Sequence, residues 1–420
     1  MVGERWFKVL LQDDQVGYMY NLVTQDQQGH WKFQTTTHFL LPGSEAKTIT
    51  KTLIFEPYGN LLKATYEDRQ AQRLQQITLE PDPEPTASAT LRAHLMPSNR
   101  EVDLDWHFQL SDHLAFESWL HQQRPASGAS YAVRNIDFER LSLHQRAYKV
   151  VEQNATGYLV ALNAPQAATQ TQLNHRYQAT ALNMAGLFNI TPTSQSDALK
   201  LSSIRGKVEY LFELDTPLTD HQRLEALTLQ LTPAVPEVLA SPYTNLAGLT
   251  QSAAEPGSYL SETLKTPLSH SRIQQLVVQA QKNADDDLLG ALVEVAHRQL
   301  NYVESQPAGS VISALNRGYG ECTDFADLMT TMARAAGLPA RNVYGLAYQD
   351  GRNPAFLFHA WNEVYFDDQW QAVDATWNQR RTDATHIPLS DSQFAHLMLA
   401  HTQRPVRIEV LEAQYAGDAR

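Results

Sequence analysis

A chain of 420 residues with a 43 % hydrophobic share has the composition of a globular protein, and it is long enough to need two or three cores. Its formal net charge of −13 argues against nucleic acid or an anionic membrane as the main partner. No apolar run approaches the roughly 20 residues of a membrane span, so membrane insertion is not expected.

The start, Met1-Val2-Gly3-Glu4-Arg5-Trp6, lacks the basic-then-apolar order of a signal peptide. From there to about residue 80 the chain reads as a meander of short antiparallel strands. The strand-like runs are Trp6–Leu11, Val16–Tyr20, Trp31–Leu41, Ile49–Phe55, Leu61–Tyr66 and Ile77–Leu79. Turn formers separate them, among them Gln12-Asp13-Asp14-Gln15, Pro42-Gly43 and Tyr58-Gly59-Asn60. Pro81-Asp82-Pro83-Glu84-Pro85 is expected to be a loop or stiff linker, because each proline removes a ladder donor. Further β-like segments follow at Val102–Leu110, Tyr131–Leu143, Ala147–Val151, Tyr158–Leu162 and Val208–Leu214. Residues 1–235 therefore read as a β-rich region, as one sheet, a sandwich, a partial barrel or two lobes.

Pro233, Pro236 and Pro242 mark a linker over 236–257. From 258 to 420 the pattern is mixed and begins helical. Ile273, Leu276, Val277 and Ala280 share one helix face. Leu288, Leu289, Leu292, Val295, Ala296 and Leu300 share another, behind the acidic start Asp285-Asp286-Asp287.

The only cysteine, Cys322, stands in Gly318-Tyr319-Gly320-Glu321-Cys322-Thr323-Asp324-Phe325. Behind it Phe325, Leu328, Met329, Met332, Ala333 and Ala336 trace a helix face that Gly337 and Pro339 end. The thiol thus lies in a helix first turn, where free N–H groups and the dipole favour a thiolate. The backbone N–H of Cys322 is one candidate oxyanion donor, and Gly318 and Gly320 would let the backbone approach a bound carbonyl.

His359, in the strand-like run Phe358–Val364, can serve as base. Asp367-Asp368-Gln369 reads as a hairpin turn that lays the strand of Asp374 beside it, so Asp374 can orient the imidazole. A lone Cys, His or Asp is more often structural, and it is their order and setting that argue for chemistry. Trp361 and Trp377 could wall a cleft, although aromatic residues in strands are mostly core. Asn301 or Gln299 could supply a second oxyanion donor, although a solvated helix face is the better reading. His386 could reach the site, although a structural hydrogen bond is the better reading, and Glu321 and Asp324 read as tuning groups or helix-start charges. Neither HExxH nor paired CxxC, Walker or GxGxxG spacing occurs, so no cofactor and no metal are expected.

These residues carry a resemblance. Gly320-Glu321-Cys322, Arg334–Arg341, His359-Ala360-Trp361-Asn362-Glu363-Val364 and Val373-Asp374-Ala375-Thr376-Trp377 resemble the transglutaminase-like superfamily. Thr382–Leu389 and Arg407–Glu412 look like its bacterial branch, and the resemblance covers about 270–415. It implies an α+β protein whose C-terminal, papain-like transglutaminase core follows a β-rich antiparallel N-terminal region. It also implies Cys322 as nucleophile, His359 as base and Asp374 as orienter. Gly320, Tyr319 and Trp361 are the expected substrate-binding residues.

The implied chemistry is metal-free attack on a peptide or side-chain amide through a thioester, with hydrolysis favoured. Transglutaminase-type transfer to an amine and a catalytically silent scaffold are the alternatives. The expected substrate is a protein or peptide, and the N-terminal region could bind a protein partner. Relatives are usually exported, which implies a periplasmic or extracellular protein if a leader has been removed and a cytoplasmic one otherwise. Ala375 stands where the family usually has Pro.

Overall fold

The computed structural model of the chain describes residues 2–11, 14–40, 46–70, 73–86, 89–162, 169–184, 188–201, 211–214, 217–232, 235–243, 256–263, 266–303, 310–350, 354–390, 393–394, 396–397, 400 and 406–416. The chain divides into two compact units, Met1–Val208 and Glu209–Arg420. Turn residues Gln12, Asp13, Pro42 and Gly43, and Leu41 at the end of one expected strand, lie outside the described residues.

In the first unit, fourteen strands form one antiparallel sheet. The strand Gly3–Leu11 is its pivot. One neighbour is Asp14–Gln25, which leads by successive hairpins to Arg100–Leu104. The other is Phe188–Thr193, which leads back to Ser130–Asp137. Period-2 patterning buries one face: Ala64, Tyr66, Ile77, Leu79, Ala93 and Leu95 point the same way across three neighbouring strands.

Three local expectations change here. The proline run is not a linker, because the strand Arg73–Thr86 passes through it. Its ladder breaks instead: Pro81 faces Leu91, and the next pair is Thr86 with Ala89. Proline's φ suits an extended chain, but its missing N–H leaves rungs unmade. The segment Tyr131–Leu143 is not one strand but the first arm and turn of a hairpin, Ser130–Asp137 with Ser142–Asn154. Asp137 Oδ1 accepts from the Arg140 N–H at 2.9 Å and closes that turn. The helix Ala115–Gln123 has no counterpart in the sequence reading. It sets Leu120, Phe116 and Trp119 against a cluster with Val150, Tyr158, Val160 and Leu173.

The second unit holds the strands Leu224–Thr232 and Val235–Ala240, which pair as a hairpin and take Arg407–Tyr415 on the other edge. A second sheet is built on the long strand Ala355–Phe366. Ala340–Gln349 runs along one of its edges, while Leu211–Glu213 and Gln369–Val373 share the other. Of the expected strand Val208–Leu214, residues 208–210 lie outside the described set.

Four helices cover one side: Ser271–Asn283, Leu288–Gln299, Val311–Arg317 and Cys322–Ala335. The helix faces read from spacing are the buried ones, with Ile273, Leu292, Leu328, Met329 and Met332 sealed in one core together with Val364 and Val373. Gly337, at φ +84°, closes the last helix, and the Leu338 N–H donates to the Ala333 carbonyl. This clamp of helix on sheet fixes the start of the Cys322 helix against the strand of His359.

Candidate active site

Cys322 is the first residue of its helix, and Glu321 is the N-cap. Glu321 Oε1 accepts from the Thr323 N–H at 3.1 Å, and Asp324 Oδ2 accepts from the Glu321 N–H at 3.2 Å. This reciprocal box leaves the Cys322 N–H as the first-turn donor that the cap does not consume. Asp324 is buried and also accepts from Arg317 Nη2 at 3.1 Å. The preceding turn is held by its own short parallel pairing, Tyr319–Gly320 with Asn301–Tyr302.

The two glycines have different reasons. Gly318 caps the helix Val311–Arg317 in the left-handed region, at φ +73°. Gly320 is required by space, since a Cβ there would lie 2.6 Å from Asp324 Cβ.

His359 is buried in the strand Ala355–Phe366. Asp367 and Asp368, both at positive φ, form the tight turn that pairs this strand with Gln369–Val373. Asp374 ends the second strand and bends away, exchanging backbone hydrogen bonds with Gln379. That bend brings its carboxylate to the imidazole, with His359 Nε2 2.8 Å from Asp374 Oδ2. The other oxygen, Oδ1, accepts from the backbone N–H groups of Thr376 at 2.7 Å and Trp377 at 3.3 Å. The Trp377 ring stacks on His359, with centroids 4.3 Å apart and planes 12° from parallel.

The environment of the sulfur departs from the expectation of a ready thiolate. Burial pushes the Cys322 thiol well up, and the Glu321 charge and hydrogen bond add to the shift. The Sγ–H donates to Glu321 Oε2 at 3.0 Å. The Ala360 backbone N–H, one residue from His359, hydrogen-bonds the sulfur and works the other way. The helix dipole is therefore outweighed by a carboxylate and by desolvation. Burial would likewise raise Asp374, but the His359 and His386 imidazoles override it and hold that carboxyl well below the usual range.

His386, fully buried, belongs to this cluster. Its Nε2 lies 3.4 Å from Asp374 Oδ2 and its Nδ1 lies 3.3 Å from Asp383 Oδ1. Burial would lower it, yet the two carboxylates raise it to about 9. Among the described residues, ring nitrogens of His359 and His386 and an oxygen of Asp374 lie within 4.8 Å of one another, close enough to hold a cation. Each of those nitrogens already faces a carboxylate, and all three residues are buried.

The structure thus gathers Cys322, Glu321, His359, Asp374, Trp377 and His386. The other expected residues differ in exposure. Trp361 is sealed in the interior, where its Nε1–H donates to the Tyr243 hydroxyl at 3.2 Å, so it presents no surface to a substrate. Gly320 is buried, and Tyr319 is exposed with Arg317 over its ring. Asn301 Nδ2 donates to the Gly318 carbonyl at 3.2 Å.

Residues 273–375 match the core profile of the transglutaminase-like superfamily, so this segment is a transglutaminase-like domain. Kyphoscoliosis peptidase of Mus musculus is 38 % identical over 69 residues, covering 15 % of this chain and 10 % of that protein. The chain therefore aligns with only about a tenth of the length of that curated relative. Among solved structures, a candidate cysteine protease from Cytophaga hutchinsonii aligns at 15 % identity over 49 % of this chain and 86 % of its own, with a TM-score of 0.28. The periplasmic domain of TgpA from Pseudomonas aeruginosa aligns at 16 % identity over 60 % of this chain and 82 % of its own, with a TM-score of 0.25.

Proposed function

We propose that Cys322, His359 and Asp374 form a nucleophile–base–orienter triad that cleaves peptide or side-chain amides through a thioester. The observation that carries this reading is the buried His359–Asp374 contact at 2.8 Å beside a sulfur bonded by the next residue's N–H. Asp374 takes Nε2, which leaves Nδ1 as the base toward the thiol. We read the core as papain-like, with the thiol at a helix start packed against the strands of its partners.

The sulfur passes its proton to His359 Nδ1 and attacks the amide carbon. The C–N bond then breaks, and the amine leaves with that proton. Water, deprotonated by His359, attacks the thioester, releasing a carboxylic acid and restoring the thiol. The Cys322 N–H serves as one donor to the developing oxyanion.

The test uses a fluorescently labelled casein for hydrolysis, and a labelled primary amine with a Gln-bearing acceptor protein for transfer. Peptide release that is lost in Cys322→Ala supports hydrolysis. Amine incorporation with the same dependence would replace hydrolysis by acyl transfer. An iodoacetamide pH profile unchanged by His359→Ala would remove the triad altogether.

A further inference from the structure

We propose, on the triad reading above, that His386 is a positioning residue: clamped between Asp374 and Asp383, it presents Asp374 to His359 and supplies the positive charge that balances a second buried carboxylate. The geometry favours a charged ring. Both nitrogens face carboxylate oxygens, at 3.4 Å and 3.3 Å, and a neutral imidazole has only one N–H to give. Asp383 is itself held in place, since its Oδ1 accepts from the Thr385 N–H at 2.9 Å and from the Thr385 hydroxyl. The ring plane is fixed from other sides by Trp361 and Trp377, with centroids at 5.1 and 5.5 Å. The backbone is fixed too, because Ser241 Oγ donates to the His386 carbonyl at 2.9 Å.

The titratable and charged groups facing His386 are Asp374, Asp383 and the His359 ring at 5.9 Å. Behind Trp361 stands Tyr243, which donates to Glu363, itself paired with Arg341.

Charge accounting then gives the role. Two carboxylates and one imidazolium leave a single negative charge beneath His359, enough to stabilise one imidazolium there. Without His386 two negative charges are buried together. They either repel the developing thiolate or take up a proton, and a protonated Asp374 no longer supports His359. Either outcome makes Cys322 harder to ionise.

Cys322 is the only cysteine, so iodoacetamide consumption, read by intact mass, reports it alone. The profile of alkylation rate against pH is measured for the wild type, His359→Ala, His386→Gln and His386→Gln/Asp383→Asn. His386→Gln should move the midpoint up by about one unit, a roughly tenfold rate loss below it. The double variant restores the single negative charge and should recover most of that loss, whereas a merely structural His386 would leave the double variant as slow or slower. Superposition of the wild-type and His386→Gln profiles, or no recovery in the double variant, overturns the proposal. If His359→Ala also leaves the wild-type profile unchanged, it is the triad reading that fails. Should His386→Gln not fold, nitrogen NMR of histidine-labelled wild type decides: an imidazolium at neutral pH supports the proposal and a neutral ring refutes it.

Discussion

Glu321 Oε2 accepts the Cys322 thiol hydrogen at 3.0 Å, while its other oxygen caps the helix that carries the same cysteine. One side chain therefore orders the helix that carries Cys322 and opposes ionisation of its thiol. For the proton to reach His359, the carboxylate has to let go of the thiol. Glu321→Gln removes the charge but keeps an amide oxygen for the Thr323 N–H. The alkylation midpoint of Cys322 should fall by about one unit, giving a roughly tenfold gain in rate at neutral pH. Melting should change by no more than about 1 kcal/mol, the scale of a cap. An unchanged midpoint would show that the carboxylate does not restrain the thiol.

Gly320→Ala tests the turn before the helix. The added Cβ would meet Asp324 Cβ at 2.6 Å, and Asp324 cannot yield without releasing the Glu321 N–H and Arg317. Overpacking of this kind costs roughly 1–3 kcal/mol. Calorimetry should show that loss, together with slower alkylation as the cap loosens. Wild-type stability in Gly320→Ala would mean the turn has slack.

Much of this site is legible in the residues, and the remainder depends on long-range placement. The Cys322 helix follows from apolar steps of three and one, and the hairpin to Asp374 from Asp367-Asp368. For Trp361 the sequence allows cleft or core, because alternation alone does not say what covers a strand face. Ala360, Asn362 and Val364 turn toward the Cys322 helix, with Asn362 Nδ2 donating to the Ala326 carbonyl. Trp361 and Glu363 turn the other way and are sealed by Tyr243, more than a hundred residues earlier. His386 is legible only as a residue that could reach the site, since its contact with Asp374 depends on the bend at Asp374–Gln379. In the first unit the pairing of Phe7 with Pro192 has no local signal at all. The helix Ala115–Gln123 is short and weakly patterned, and it owes its place to the cluster beneath it.

Trp377 covers one face of the imidazole. Trp377→Ala removes the stacked ring and admits water beside the His359 imidazole, while Trp377→Phe keeps an aromatic surface. Aromatic contacts of this kind are worth about 1 kcal/mol, so the alanine variant should lose roughly fivefold to tenfold in turnover and the phenylalanine variant much less. Steady-state kinetics on the casein probe would show the loss in kcat rather than KM. A loss confined to KM would make Trp377 a substrate contact instead.

The His386 contacts also set a pH dependence of stability. In the folded protein its pKa is raised to about 9, above the ordinary histidine value of about 6.5. Its contribution is therefore fully present below about pH 6.5 and is lost as pH rises through about 9. Asp374 and Asp383 are lowered, so their share is present above the ordinary carboxylate range and is lost on acidification. These are the same contacts seen from both partners and count once. Between about pH 6.5 and 9 the loss has an upper limit of about 3 kcal/mol, reduced by the length of the two contacts. Urea unfolding of Cys322→Ala, with and without His386→Gln, isolates it. Groups such as His113, pushed down to about 4 by burial, cancel in the difference. The His386→Gln protein should be less stable at pH 6.5 and should show a flatter alkaline slope. Parallel slopes for the two proteins would show that His386 carries no proton in the folded state that it lacks when unfolded.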